Sequence, residues 1–171
     1  MSIDIIIAVS LFATGIILMG SVLWEQFIQN DNSFDGFFNN KKWKPNVPYT
    51  RLVSEIIQFT GPFLAERKIR TYPPFKICYY KHKKYAGVFN GEVVIYLKSN
   101  PDISTLVSTV LHEVRHYEQS KTDTQYKQYN TLTASVGYWD NPFEIQARAF
   151  AEQYTDSCIQ YLASKQFIVK E

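Results

Sequence analysis

The chain has few of the residues that would assign it to several common classes of protein. It contains two cysteines, Cys78 and Cys158, which are too few for a disulfide framework, so we expect both to be buried apolar side chains. The formal net charge is +2, which indicates no binding of nucleic acid. No internal repeat or low-complexity tract is present. Histidine occurs three times, and His82 lies among lysines, where we expect a solvated surface residue.

The other two histidines lie four residues apart in the run from Val110 to His116, which contains the pattern H-E-x-x-H. From Ile103 to Tyr117, apolar residues recur every three or four positions, which predicts a helix packed against a core. Asn100 followed by Pro101 suits the start of that helix, with asparagine as the cap and proline at the first helical position.

The spacing of these two histidines suits a zinc site. Two imidazoles four residues apart on a helix project from nearly the same face, so His112 and His116 can bind one zinc ion. Glu113, between them, would act on a water molecule activated by that ion. The alternative is a chance match, which usually lies on a solvated helix face. The apolar stripe turns these side chains toward the core or a cleft, which favours the zinc site.

A catalytic zinc site needs a third protein ligand. A histidine six residues after the motif is excluded, because Thr122 stands there. Residues 141–151 predict a second helix, again opened by an Asn-Pro pair, with Glu144 in its first turn next to an apolar stripe. Ala147 is small, which would let this helix approach the first one closely. We therefore predict Glu144 as the third ligand.

Other interpretations of the third ligand remain open. The helix dipole alone favours a glutamate in a first turn, and Arg148 would then be only a surface partner of Glu144. Asp123 follows the first helix in a polar segment and is the runner-up as a ligand. Glu118 lies on the first helix but is turned away from the two histidines.

Together, the two segments resemble the small gluzincin metallopeptidases, or minigluzincins. These include minimal forms from phages and bacteria and the proteases that act on phage-type repressors. The resemblance covers approximately Tyr49 to Leu162 and rests on the patterns H-E-x-x-H and N-P-x-E-x-x-A-R-x-F-A. It implies zinc as the cofactor, a peptide or protein substrate, Glu113 as the general base, and three zinc ligands, His112, His116 and Glu144. The leucine-rich, proline-terminated continuation of the repressor-cleaving members is missing, so their particular substrate is not implied.

The residues before the motif predict a small sheet. Phe75 to Tyr80 and Glu92 to Leu97 are rich in β-branched and aromatic residues, and Asn90-Gly91 is a strong hairpin signal. A helix is predicted ahead of them at Thr50 to Thr60. With the two later helices, this order predicts an α+β domain over residues 49–171, and the resemblance implies that its fold is zincin-like.

Two groups of residues are candidates for substrate contact. In the resembling family, an edge strand beside the zinc pairs with an extended peptide through main-chain hydrogen bonds. We expect that edge strand to run from Val93 to Leu97, with Val93 and Ile95 in contact with the peptide. The polar stretch from 120 to 140 predicts a loop over the site, in which Tyr126 and Tyr138 are our candidates. A tyrosine hydroxyl there would stabilise an oxyanion, although the sequence does not single one out.

The N-terminal segment predicts a membrane anchor. The 20 residues from Ile5 to Trp24 carry no charge and would span about 30 Å as a helix, the thickness of the hydrocarbon core. A cleaved signal peptide is disfavoured, because there is no basic n-region and no clear cleavage site. Residues 25–48 predict a linker. Lys41, Lys42 and Lys44 follow the anchor and none precedes it, so the positive-inside rule places the domain in the cytoplasm.

These features predict a single-pass membrane protein with a zinc-dependent peptidase domain. Its expected partners are a peptide or protein substrate and the lipid bilayer, and no nucleic acid is expected. The competing interpretation is a non-catalytic, membrane-associated binding module or structural subunit, for example of a phage or virion assembly, that keeps the fold. Glu113 favours the enzyme, since a scaffold has no need of a general base.

Overall fold

The computed structural model describes residues 43–170. Its elements, in chain order, are β1 (Trp43–Pro45), α1 (Tyr49–Phe59), α2 (Gly61–Glu66), β2 (Phe75–Cys78), β3 (Gly87–Phe89), β4 (Val93–Tyr96), α3 (Ile103–Thr122), α4 (Tyr129–Val136), α5 (Pro142–Ser164) and β5 (Ile168–Lys170). Short 3₁₀ turns follow β4 and α3, at Leu97–Ser99 and Thr124–Gln128. The predicted α+β class is confirmed. The predicted anchor, from Ile5 to Trp24, lies outside the described residues, as does the linker up to Lys42. Within 43–170, no helix combines the length and apolar character needed to cross a bilayer.

The core forms around α3, which packs along both α1 and α5. Every residue of the apolar stripe predicted for α3 is buried: Ile103, Leu106, Val107, Val110, Leu111, Val114 and Tyr117. Burial of each such aliphatic side chain stabilises the fold by roughly 1.5–3 kcal/mol. Ala147 of α5 is completely buried as well, which fits the close approach expected from its small side chain. The helix that carries the motif is thus held on two sides before any metal is considered.

The two long helices begin differently. The Asn141 side chain caps α5 by accepting a hydrogen bond from the backbone N–H of Phe143 at 3.0 Å, and Pro142 is the first helical residue, as predicted. The prediction of Asn100 as the cap of α3 was wrong. Asp102 is the cap, because its side chain accepts from the N–H of Thr105 at 2.7 Å. The side-chain oxygen of Asn100 accepts from the Thr109 hydroxyl instead, so it caps no backbone N–H group of α3.

Asn100 instead joins α3 to the sheet. Its Nδ2 donates to the carbonyl oxygens of Ala86 and Tyr96, at 3.1 and 3.0 Å. Its Oδ1 accepts from the Thr109 hydroxyl at 2.7 Å. The start of β3 and the end of β4 are therefore tied to the middle of α3.

The three-stranded sheet has the order β2-β4-β3, with β4 parallel to β2 and antiparallel to β3. The predicted hairpin is confirmed: Phe89 lies opposite Val93, and Gly91, with φ of 76°, lies in the turn between them. The prediction that Val93 to Leu97 is an edge was wrong. β4 is the central strand, and Val93 and Ile95 are 0% exposed, so their side chains lie in the core and not at an open edge. The parallel partner β2 pairs with the side of β4 that we expected to be open, and β3 pairs with its other side. Both β3 and β4 contact α3.

A second, two-stranded sheet joins the first and last strands of the described range. Lys44 of β1 pairs with Val169 of β5, and the ammonium of Lys170 lies 5.4 Å from the centre of the Trp43 ring. The boundary that we predicted at residue 48 is therefore too late, because residues 43–48 belong to the domain. The reason is long-range pairing with β5, which no local pattern in the sequence shows.

The stretch from 120 to 140 is less irregular than predicted. It contains the end of α3, a 3₁₀ turn and α4, which has no buried residue. α4 is held mainly through Asn141, whose Nδ2 donates to Thr133 Oγ1 at 2.7 Å and to the carbonyl of Tyr129 at 3.3 Å. It ends at Gly137, where a φ of 86° favours glycine.

His82 is partly exposed, and its ring also has partners. It stacks on the rings of Tyr85 and Tyr96, with centroid distances of 5.1 and 4.5 Å. Its Nδ1 accepts hydrogen bonds from the backbone N–H groups of Lys84 and Tyr85, at 3.2 and 3.1 Å. His82 thus organises the loop between β2 and β3.

An ion pair joins the far end of α5 to α1. Glu55 Oε1 accepts from Lys165 Nζ at 2.8 Å and from the Tyr161 hydroxyl at 2.6 Å. Burial alone would raise the pKa of Glu55, but these two hydrogen bonds outweigh it and hold the pKa below its ordinary value.

Candidate metal centre

Three side chains from two helices converge at one point. His112 and His116 lie one turn apart on α3, and their Nε2 atoms are 3.1 Å from each other. Glu144, in the first turn of α5, places Oε2 at 3.2 Å from His112 Nε2 and Oε1 at 3.1 Å from His116 Nε2. Within residues 43–170, these are the three side chains whose ligand atoms come together closely enough to share a metal ion. The structure therefore brings together the ligands that the sequence predicted.

The polarity of this group fits a divalent cation. Glu144 is 1% exposed, and its Oε2 is buried without a well-formed hydrogen bond. The guanidinium of Arg148 is 3.9 Å away, too far to satisfy that oxygen. A buried carboxylate is costly unless it is paired, and although His112, His116 and Tyr129 contact this one, its Oε2 has no well-formed hydrogen bond of its own. A cation bound by two imidazole nitrogens and one carboxylate would satisfy it, and this donor set is typical of catalytic zinc.

The electrostatics of the cluster already favour the charged forms of Glu144 and His116. Burial alone would raise the pKa of Glu144, but its contacts with His112, His116 and Tyr129 lower it well below the ordinary value. Burial alone would lower the pKa of His116, yet its hydrogen bond to Glu144 and the charges of Glu113 and Glu144 raise it. A metal ion would therefore compete with a proton for His116 Nε2.

The two rival ligands have other partners. Glu118 is buried and forms ion pairs with Arg115 and, at 3.8 Å, with Arg67, and it also accepts from the Thr122 hydroxyl at 3.0 Å. Asp123 is exposed and caps the following 3₁₀ turn. Neither belongs to the group that could share a metal ion.

Glu113 lies beside this cluster, under strand β3. It is 5% exposed, and burial raises its pKa to about 7. The charge of His116 and the backbone N–H of Phe89 oppose this shift, whereas the charge of Glu144 adds to it. Gly87 makes the close packing possible, because a Cβ there would lie 2.6 Å from Thr109 Cγ2 and 3.1 Å from Glu113 Oε1. Strand β3 can therefore rest directly on the predicted general base.

A cleft of about 630 Å³ opens next to the cluster, between β3 and α4. Of the residues predicted for substrate contact, Tyr126 and Tyr138 line it, together with Glu113 and Glu144, whereas Val93 and Ile95 do not. Burial raises the pKa of both tyrosines, and nearby carboxylates add to the effect. Both phenols therefore keep their protons at neutral pH and can donate hydrogen bonds into the cleft.

Sequence reasoning missed two side chains that touch the predicted ligands. The Tyr129 hydroxyl donates to Glu144 Oε1. Gln119, which is 2% exposed, places Oε1 at 2.8 Å from His116 Nδ1 and Nε2 at 3.1 Å from the Phe143 carbonyl oxygen. The signal for Gln119 was its position three residues after His116, on the same helix face. No local pattern points to Tyr129.

Comparison of the chain with protein-family models, with curated proteins and with solved structures gives no match. The assignment of function therefore depends on the motif and on the geometry described above.

Proposed function

We propose that the chain is a zinc-dependent peptidase of the gluzincin type, with a zincin-like domain. The observation that carries the proposal is the convergence of His112, His116 and Glu144 from two helices, with Glu113 buried beside them. Zinc held by these ligands would polarise a peptide carbonyl and make a water molecule a better nucleophile.

The chain's own residues supply the remaining functions. Glu113, with its pKa near 7, is suited to accept a proton from water and to return it to the leaving amine. Tyr126 and Tyr138 line the cleft as hydrogen-bond donors and would stabilise negative charge on the carbonyl oxygen. Strand β3, at the edge of the sheet next to Glu113, is where an extended substrate would add as a strand.

We further propose that this domain acts at a membrane, on its cytoplasmic side. The support is the uncharged run from Ile5 to Trp24, and the lysines at 41, 42 and 44 that follow it. The partners would then be a peptide or protein substrate and the lipid bilayer.

Metal analysis of the full-length chain with three variants tests the enzymatic proposal. We expect one zinc per chain in the wild type and in Glu113→Gln, but none in the double variant His112→Ala/His116→Ala. We expect the wild type to hydrolyse a mixed peptide library and Glu113→Gln to lose that activity. Full zinc content in the double variant would refute the site. Zinc binding without hydrolysis in the wild type would instead favour the non-catalytic binding or structural subunit.

A further inference from the structure

We infer that Gln119 is a positioning residue for the metal centre: it fixes which nitrogen of His116 faces Glu144, and it couples that choice to the docking of α5. This inference depends on the proposed metal site. Gln119 is almost completely buried between α3 and α5, where an uncharged amide with partners at both ends is stabilising and one without them is costly.

The orientation of the Gln119 amide follows from one partner. The amide ends in one oxygen and one nitrogen. The atom on the Phe143 side lies 3.1 Å from the backbone carbonyl oxygen of Phe143. A carbonyl oxygen can only accept a hydrogen bond, so the atom that faces it must be the Nε2 amide group, which donates. The Oε1 atom must then face His116 Nδ1, at 2.8 Å.

The state of the His116 ring follows in turn. Because Gln119 Oε1 can only accept, His116 Nδ1 must carry a hydrogen and donate it. This holds whether the imidazole is neutral or cationic. The nitrogen free to hold either a proton or a metal ion is therefore Nε2, which is the one that lies 3.1 Å from Glu144 Oε1. A backbone carbonyl of α5 thus determines the tautomer of a ligand on α3, through one side chain.

The same amide also fixes the third ligand. Phe143 immediately precedes Glu144, and Gln119 Nε2 lies a further 3.3 Å from Gln146 Oε1, in the same turn of α5. Gln146 Oε1 in turn accepts from Arg115 Nη2 at 3.0 Å. If α5 shifted away from α3, Gln119 Nε2 would lose the two acceptors on α5 that orient the amide. The imidazole of His116 and the carboxylate of Glu144 are therefore positioned together.

Two substitutions separate the acceptor and donor functions of this amide. Gln119→Glu keeps an oxygen for His116 Nδ1 but removes the donor to Phe143. Gln119→Met has a similar volume and removes both. Loss of a partner of this kind typically weakens metal affinity about 10–100-fold, so we expect a loss in that range for Gln119→Met and a smaller loss for Gln119→Glu. Gln58→Met, at an exposed position on α1, is the matched control and should bind zinc as the wild type does.

The readouts are zinc affinity and the ring state of His116 in the full-length protein. Affinity is measured by competition with a chelator. The ring state is measured by long-range ¹H–¹⁵N correlation spectra of labelled protein, with and without zinc, which show which nitrogen carries hydrogen. The chain has three histidines, and a His82→Gln variant identifies one of them. Without zinc, we expect hydrogen on Nδ1 of His116 in the wild type and in Gln119→Glu, and a mixture of tautomers in Gln119→Met.

Each outcome separates this inference from the proposed function. A wild type that binds no zinc refutes the metal site, and the metal-free spectrum then still decides the ring state. A wild type that binds zinc, with an unchanged affinity and ring pattern in Gln119→Met, overturns the positioning role and leaves the metal site standing. If Gln119→Met does not fold, Gln119→Glu decides alone. Hydrogen on Nε2 of His116 without hydrogen on Nδ1, in that variant or in the wild type, contradicts the inference.

Discussion

Gly87 offers the sharpest test of how strand β3 rests on the predicted general base. The substitution Gly87→Ala adds one methyl group, which would lie 2.6 Å from Thr109 Cγ2 and 3.0 Å from Glu113 Cγ. The backbone of Gly87 is not in the left-handed region, so the effect is one of space and not of backbone conformation. The strand must shift or the two side chains must move.

The size of the effect follows from two opposing terms. Overpacking of this kind costs typically 1–3 kcal/mol. Replacing glycine by alanine also stabilises the folded state by about 0.4–1 kcal/mol, since the unfolded chain loses freedom. The clash is larger, so we expect Gly87→Ala to lower the free energy of unfolding by about 0.5–2 kcal/mol. Because the displaced neighbour is Glu113, we also expect peptidase activity to fall while zinc binding is retained.

A double-mutant cycle with Thr109→Ser provides the control. Serine removes Cγ2, the nearest obstacle, and keeps the hydroxyl that donates to Asn100 Oδ1. Urea unfolding of the wild type, both single variants and the double variant gives the coupling energy. We expect the double variant to recover part of the stability lost in Gly87→Ala, with a coupling of at least about 0.5 kcal/mol. Additive effects, or a Gly87→Ala protein as stable as the wild type, would refute the close packing of β3 on α3.

Three further predictions concern other parts of the chain. Glu144→Ala should abolish tight zinc binding and Asp123→Ala should not, as measured by chelator competition; the reverse result would exclude Glu144 as the third ligand. Glu55→Gln should lower the free energy of unfolding by about 1–2 kcal/mol at neutral pH, because it breaks a charge-assisted contact with Lys165. Folding lowers the pKa of Glu55, so the stability difference between wild type and variant should reach its full size above the ordinary pKa of 4.5. It should disappear as the pH falls through the lower pKa of the folded state, and urea unfolding at several pH values measures it. Finally, the segment from Ile5 to Trp24 should hold the full-length chain in membranes after alkaline carbonate extraction, and its release into the supernatant would argue against an anchor.

The parts of the site that the sequence predicted are those set by local spacing. His112 and His116 share a face because they lie one turn apart on one helix. The place of Glu144 followed from a cap motif, Asn141-Pro142, that fixes where α5 begins, and from Ala147, which allows close packing. These signals act over a few residues, so they could be read without knowledge of the fold.

The parts that were missed depend on contacts between distant segments. The sequence of strand β4 is compatible with an edge strand, and only the fold shows that the parallel strand β2 lies beside it. Neither strand carries a local sequence signal for this pairing. Trp43 looked like part of a linker because its partner strand lies at the other end of the domain. Gln119 and Tyr129 are polar residues whose roles come from what α5 places opposite them.

Helix α4, which forms one wall of the cleft, should also be one of the less stable parts of the fold. It buries no residue, and it is held by hydrogen bonds of Asn141 and Tyr129. Segments of this kind open with a free energy far below that of global unfolding, so their amide hydrogens exchange with solvent much sooner. The amides of α4 should therefore exchange well before those of α3, whose stripe is fully packed. The wall of the cleft should therefore be the first part of the site to open, ahead of the helix that carries the two histidines.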